Sequence, residues 1–149
     1  MTVISVDYDG IIVTDGNWPE PGQVIPEAVE SINRLHDSGF CIIINSCRIG
    51  KAEEAMVRKL NELGINYCRV NENCPERIKK YETDTRKISA DLYIDDRSVF
   101  NPLKHMSWPD LTDHIIRRFE GPQKRQCNHS GAHEFLAYNA FLQMLKESE

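Results

Sequence analysis

The chain lacks the features that mark a membrane, secreted or nucleic-acid-coating protein. No apolar run in its 149 residues approaches the roughly 20 needed to cross a bilayer. No charged lead with an apolar stretch and a small-residue cleavage site opens the sequence, so a soluble, cytoplasmic protein is expected. Basic residues number 18 against 23 acidic ones, for a net charge of -5. With the two signs mixed along the chain, there is no basic face to hold a polyanion, and nucleic acid is not an expected partner. The five cysteines, at 41, 47, 68, 74 and 127, are odd in number and include no C-x-x-C pair. That pattern argues against a disulfide framework and for reduced thiols. Internal repeats and low-complexity tracts are also missing.

What the chain does have is a buried-strand pattern that twice ends in paired acids. Val3-Ile4-Ser5-Val6 runs into Asp7-Tyr8-Asp9-Gly10, and Leu92-Tyr93-Ile94 runs into Asp95-Asp96. Short apolar runs rich in β-branched residues are core strands of a parallel sheet, and such sheets bind ligands beyond the carboxyl ends of their strands. Four carboxylates at one edge repel one another. A cation must neutralise them, or one must keep its proton for acid/base work.

Between the acid pairs, strand and helix patterns alternate. Residues 11 to 25 carry Gly16, Pro19, Pro21 and Gly22 and read as a hairpin or flap. A helix opens at Pro26, shows Val29, Ile32 and Leu35 at helical spacing, and closes at Gly39. Phe40 to Asn45 is the next strand and delivers Ser46, Cys47 and Arg48 to the edge that holds Asp7. A helix from Lys51 to Leu63 and a strand from Ile65 to Val70 follow, then a short helix near Glu76 to Tyr81. Leu111, Ile115 and Phe119 mark a later amphipathic helix, and Phe135, Tyr138, Leu142 and Leu145 a final one. Alternation of this kind predicts a three-layer, doubly wound, parallel α/β sheet, Rossmann-like, in a single domain.

The order Asp-x-Asp, Ser, Lys, Asp-Asp resembles that of the haloacid dehalogenase superfamily of phosphohydrolases over about residues 3 to 99. A receiver domain places its acid pair first and its Lys last, which is a different order, and a Toprim domain needs a Glu on an earlier strand. The resemblance implies that Asp7 is the nucleophile and forms an aspartyl-phosphate. It makes Asp9 the general acid and then base, with the turn at Gly10 bending it back over the leaving group. Ser46 would bond a phosphoryl oxygen and Lys87 would neutralise charge, with Lys51 and Lys104 as competing positions. Asp95 and Asp96, with the Asp7 carboxylate and the Asp9 carbonyl, would hold one Mg²⁺. Gly10, Cys47, Arg48 and Arg97 are candidate substrate contacts, the two guanidinium groups for a second anionic group. Ile11 stands where Thr or Val is frequent in the superfamily, an apolar exchange that leaves the motif geometry intact.

Neither interval in which such proteins insert a cap has room for one. The resemblance is therefore to the capless type, and either homo-oligomerisation or a lid from the helical extension, residues 100–149, is expected. The leading expectation is a Mg²⁺-dependent phosphatase of a phosphorylated metabolite. A nucleic-acid-end phosphatase, suggested by Asp95-Asp96-Arg97, and a non-catalytic module with the same fold are the alternatives. Cys127, His129 and His133 form a second constellation that could bind Zn²⁺ with Cys68 or Cys74, set against plain loop and helix-start roles. Trp18 and Trp108, each before a Pro, read as packing anchors in preference to substrate platforms, with Trp18 on the flap near the site.

Overall fold

A computed structural model of the protein describes residues 1–16 and 18–119. The expected final helix and the Cys127, His129 and His133 constellation lie outside the described residues. Four strands, β1 (Val3–Val6), β2 (Cys41–Ile44), β3 (Arg69–Val70) and β4 (Leu92–Ile94), form one sheet in the order β3-β2-β1-β4. Every pairing is parallel: Val3 to Val6 align with Cys41 to Ile44, and Ile4 to Val6 with Leu92 to Ile94. Four helices connect or flank them, α1 (Ala28–Asp37), α2 (Lys51–Glu62), α3 (Pro75–Tyr81) and α4 (Trp108–Arg118).

Strand alternation divides the side chains between two faces. Ile4, Val6, Ile42, Ile44 and Ile94 pack with Ile32 and Leu35 of α1, Met56 and Leu60 of α2, and Trp108, Leu111 and Ile115 of α4. On the other face Val3, Cys41 and Ile43 pack with Cys68, Ile88 and Cys74, the residue that precedes α3. Both strand faces being apolar explains why β2 is an unbroken hydrophobic run and β1 is broken only by the buried Ser5, with no alternating pattern in either. The result is the three-layer, doubly wound α/β arrangement. The chain winds from β1 outward to β3, then crosses to the far side of β1 as β4. That reversal opens a crevice at the carboxyl ends of β1 and β4. The flap and α1 fill the interval from β1 to β2, and α2 with its loops fills that from β2 to β3, with no inserted domain.

Two element boundaries differ from the sequence reading. The first helix starts at Ala28, not Pro26, because Glu27 has a left-handed φ of 64° that no helix tolerates. The third strand pairs only over Arg69–Val70. It is an edge strand, and its earlier part sends Ile65 and Tyr67 into the core without forming a ladder. The two tryptophans also part company. Trp108 is buried and its Nε1 donates to the Ile11 carbonyl at 3.0 Å, so it anchors α4 to the loop after β1. Trp18 is 66 % exposed and anchors no core.

Losing the Trp108 donor leaves the buried Ile11 carbonyl unpaired. Trp108→Phe is expected to lower unfolding free energy by about 1–3 kcal/mol, and Trp108→Ala, which also opens a cavity, by about 3–5 kcal/mol. Urea titration followed by circular dichroism measures both.

Candidate active site

The crevice is a cavity of about 350 Å³ lined by Asp7, Asp9, Asp15, Gly16, Trp18, Asn45, Ser46, Cys47, Arg48, Asp95, Asp96 and Arg97. Three loops supply it, those after β1, β2 and β4. Asp7 extends β1, its N–H donating to the Ile94 carbonyl at 2.8 Å, and so sits beside the end of β4. One carboxylate oxygen each from Asp7, Asp95 and Asp96 lie within 4.8 Å of one another. Burial pushes the Asp7 carboxyl up to about 7, and the Asp95 and Asp96 charges and a hydrogen bond with Asp96 add to this, against the lowering effect of the Tyr8 N–H at 2.8 Å. Asp95 spends one oxygen on the Arg97 N–H at 2.7 Å, which folds the turn after β4.

Gly10 is fixed by two constraints. Its φ is +80°, and a Cβ there would stand 2.6 Å from Asp96 Oδ2. The glycine, taken from sequence as a substrate contact, is what lets Asp96 close on the first loop. Three hard oxygen donors crowded at one point, one of them raised far above its ordinary range, match the donor set of a divalent cation such as Mg²⁺.

Asp9 and Arg48 form a second unit. Arg48 Nε donates to Asp9 Oδ2 and Nη2 to Asp9 Oδ1, both at 2.8 Å, while Nη1 donates to the Pro19 carbonyl at 2.5 Å. The guanidinium lies 5.3 Å from the Tyr8 ring centroid and 5.0 Å from that of Trp18. Arg48 is only 2 % exposed. Its guanidinium is held by the protein's own Asp9 carboxylate and Pro19 carbonyl at the wall of the cavity.

Ser46 is set by Asn71, which sequence reasoning passed over. Asn71 Oδ1 accepts from the Ser46 N–H at 2.7 Å, and its Nδ2 donates to Glu53 Oε1 at 2.8 Å and to the Arg48 carbonyl at 3.3 Å. Asn71 has a φ of 52°, and asparagine is among the residues that tolerate this region. An Asn directly after an apolar strand is the signal that was available. Ser46 Oγ accepts from the Arg48 N–H at 3.3 Å, which leaves its own proton to donate. Asp15, Gly16 and Asn45 are further cavity residues not singled out from sequence.

Lys87 does not line the cavity. Its ammonium lies 4.8 Å from the Tyr93 ring centroid. Tyr93 aligns with Ser5, and alternation puts both on the sheet face that Asp7 and Asp95 continue. Lys51 and Lys104 are not lining residues either, and Cys47 and Arg97 stand exposed at the rim.

Comparison with known proteins finds no matching family model and no matching curated protein. A solved structure from Bacteroides thetaiotaomicron, described as a conserved protein coded by locus, is 30 % identical. It superposes with a TM-score of 0.66 over 78 % of this chain and 90 % of its own. The chain belongs to the same family as that protein. Family membership fixes the fold, and the reaction has to be argued from the site.

Asp7 titrates near 7 when folded and near 3.8 when unfolded. Between those values the folded chain binds more protons, so its stability falls as pH rises. In EDTA, the melting temperature is expected to decline from about pH 4 to about pH 7 and then level. Asp7→Asn should flatten the decline, and added Mg²⁺ should oppose it. Asn71→Ala, which strips the Ser46 N–H of its acceptor, should cost about 1–3 kcal/mol in the same melts.

Proposed function

We propose that the protein is a Mg²⁺-dependent phosphomonoesterase that works through an aspartyl-phosphate on Asp7. The observation that carries this reading is the convergence of Asp7, Asp95 and Asp96 at the crevice where the strand order reverses. Asp7 Oδ attacks phosphorus, and the bond to the leaving oxygen breaks. Asp9 gives that oxygen its proton, then takes one from the water that cleaves the acyl-phosphate and frees Asp7. Each Asp9 oxygen keeps a second lone pair beyond its Arg48 contact, and the transferred proton travels through it. Ser46 donates its hydroxyl proton to a phosphoryl oxygen. The carboxylates of Asp7, Asp95 and Asp96 and the Asp9 carbonyl would hold Mg²⁺, whose positive charge lets one anion approach another.

Lys87 has the neutralising role in this reading because it rests on the acid-bearing face of the sheet. To act it must leave the Tyr93 ring. An exposed cation–π contact is worth about 0.5–1 kcal/mol, little beside its attraction to a dianionic phosphoryl group.

Hydrolysis of para-nitrophenyl phosphate tests the proposal. Mg²⁺-dependent release is expected from the intact protein, with loss of at least about a thousandfold in Asp7→Asn, the scale on which removing one member of a nucleophilic unit abolishes turnover. Lys87→Met should lower kcat by about 10²-fold with an unchanged melting temperature. Equal release from intact and Asp7→Asn protein would sink the mechanism.

A further inference from the structure

Trp18 is the one large aromatic side chain among the residues that line the cavity, and it stands in the open at 66 % exposure. A single exposed apolar residue ordinarily needs no explanation. Here, two further observations supply one. The indole is backed by Arg48, whose guanidinium sits 5.0 Å from its ring centroid and is itself pinned by Asp9 and the Pro19 carbonyl. The flap that carries it is tightly closed: Thr14 N–H donates to the Gln23 carbonyl at 2.7 Å, and a Cβ on Gly22 would stand 1.9 Å from the Thr14 carbonyl oxygen. A Cβ on Gly16 would meet Gly22 N at 2.6 Å. The flap backbone is thus closed on itself and Arg48 backs one face of the ring, which lowers the ordering cost of stacking against the other.

The lining residues divide by depth. Asp7, Asp9, Asn45, Ser46, Asp95 and Asp96 are partly buried, whereas Asp15, Gly16, Trp18, Cys47 and Arg97 are exposed. An ester whose phosphoryl group reaches Asp7 has to leave through that outer ring. We infer that Trp18 is a specificity-determining platform, and that the substrate is a phosphomonoester whose leaving side carries a planar aromatic or heteroaromatic ring, such as a nucleoside monophosphate. The inference rests on the phosphatase reading for the phosphoryl end, and on Trp18 and the flap for the ring end. Arg48 on the inner face of the indole withdraws charge from it, which suits stacking against an electron-rich ring on the outer face.

Adenosine 5′-monophosphate and ribose 5-phosphate share phosphate and sugar and differ only in the ring, so they isolate the contact. Calorimetric titrations with Mg²⁺ use the Asp7→Asn protein, which does not consume the ligand, alone and with Trp18→Leu or Trp18→Phe added. The nucleotide is expected to bind about tenfold more tightly than the sugar phosphate, about 1.4 kcal/mol and within the range of base–aromatic stacking. Trp18→Leu should bring the two within about twofold by weakening only the nucleotide, and Trp18→Phe should keep most of the preference. Equal affinities without a Trp18 substitution, or a preference that survives Trp18→Leu, would overturn the platform while leaving the phosphatase reading in place. Failure of both ligands to bind would overturn the two together.

Discussion

The Arg48–Asp9 pair is the interaction on which the site's geometry depends. A guanidinium with almost no exposure carries a large desolvation penalty, and only well-formed charge-assisted hydrogen bonds offset it. Arg48 meets that demand with both Asp9 oxygens, the Pro19 carbonyl and two aromatic faces. Those partners lie on the loop after β1 and on the flap, while Arg48 itself follows β2. One side chain therefore holds three separate segments in register. Neither the position of Asp9 nor the seat of Trp18 is independent of it.

Against this neutralised pair stands a cluster of three crowded carboxylates. Asp7, Asp95 and Asp96 converge at one point, and burial raises the affinity of Asp7 for its proton, with the charges of Asp95 and Asp96 adding to the effect. The fold accepts this because the sheet is secured elsewhere, by apolar packing on both faces and by Trp108 reaching from α4 to Ile11. Strain kept in one corner is thus offset by stability supplied by the remainder. Gly10 is what permits it, since any side chain there would push Asp96 away.

Much of this was legible in the residues. β1, β2 and β4 announced themselves as apolar runs, and the acids at the ends of β1 and β4 predicted the crevice, because strand ends are where parallel sheets expose polar groups. What escaped was whatever depends on partners far apart in sequence. Asp9 and Arg48 are 39 positions apart, so nothing local marks Arg48 as a clamp on Asp9. Asn71 looked like an ordinary loop residue until β3 placed it beside Ser46. Trp18 and Trp108 share the same Trp-Pro dipeptide and have opposite fates. Only Trp108 continues into Leu111 and Ile115 at helical spacing, and that periodicity was the available clue to which would be buried.

The strand order also has a consequence for how the protein is made. β1, in the interior of the sheet, emerges from the ribosome early but cannot be flanked on both sides until β4 follows some 90 residues later, as the Val3–Asp91 contact across 88 positions illustrates. A nascent chain that has completed β1, β2 and β3 possesses Asp7 and Asp9 yet lacks the two carboxylates that crowd them. Its half-formed crevice holds neither the repulsion nor the donor set of the finished one. The long-range closure that slows folding thus also withholds the acid cluster from the cell until synthesis has passed residue 96.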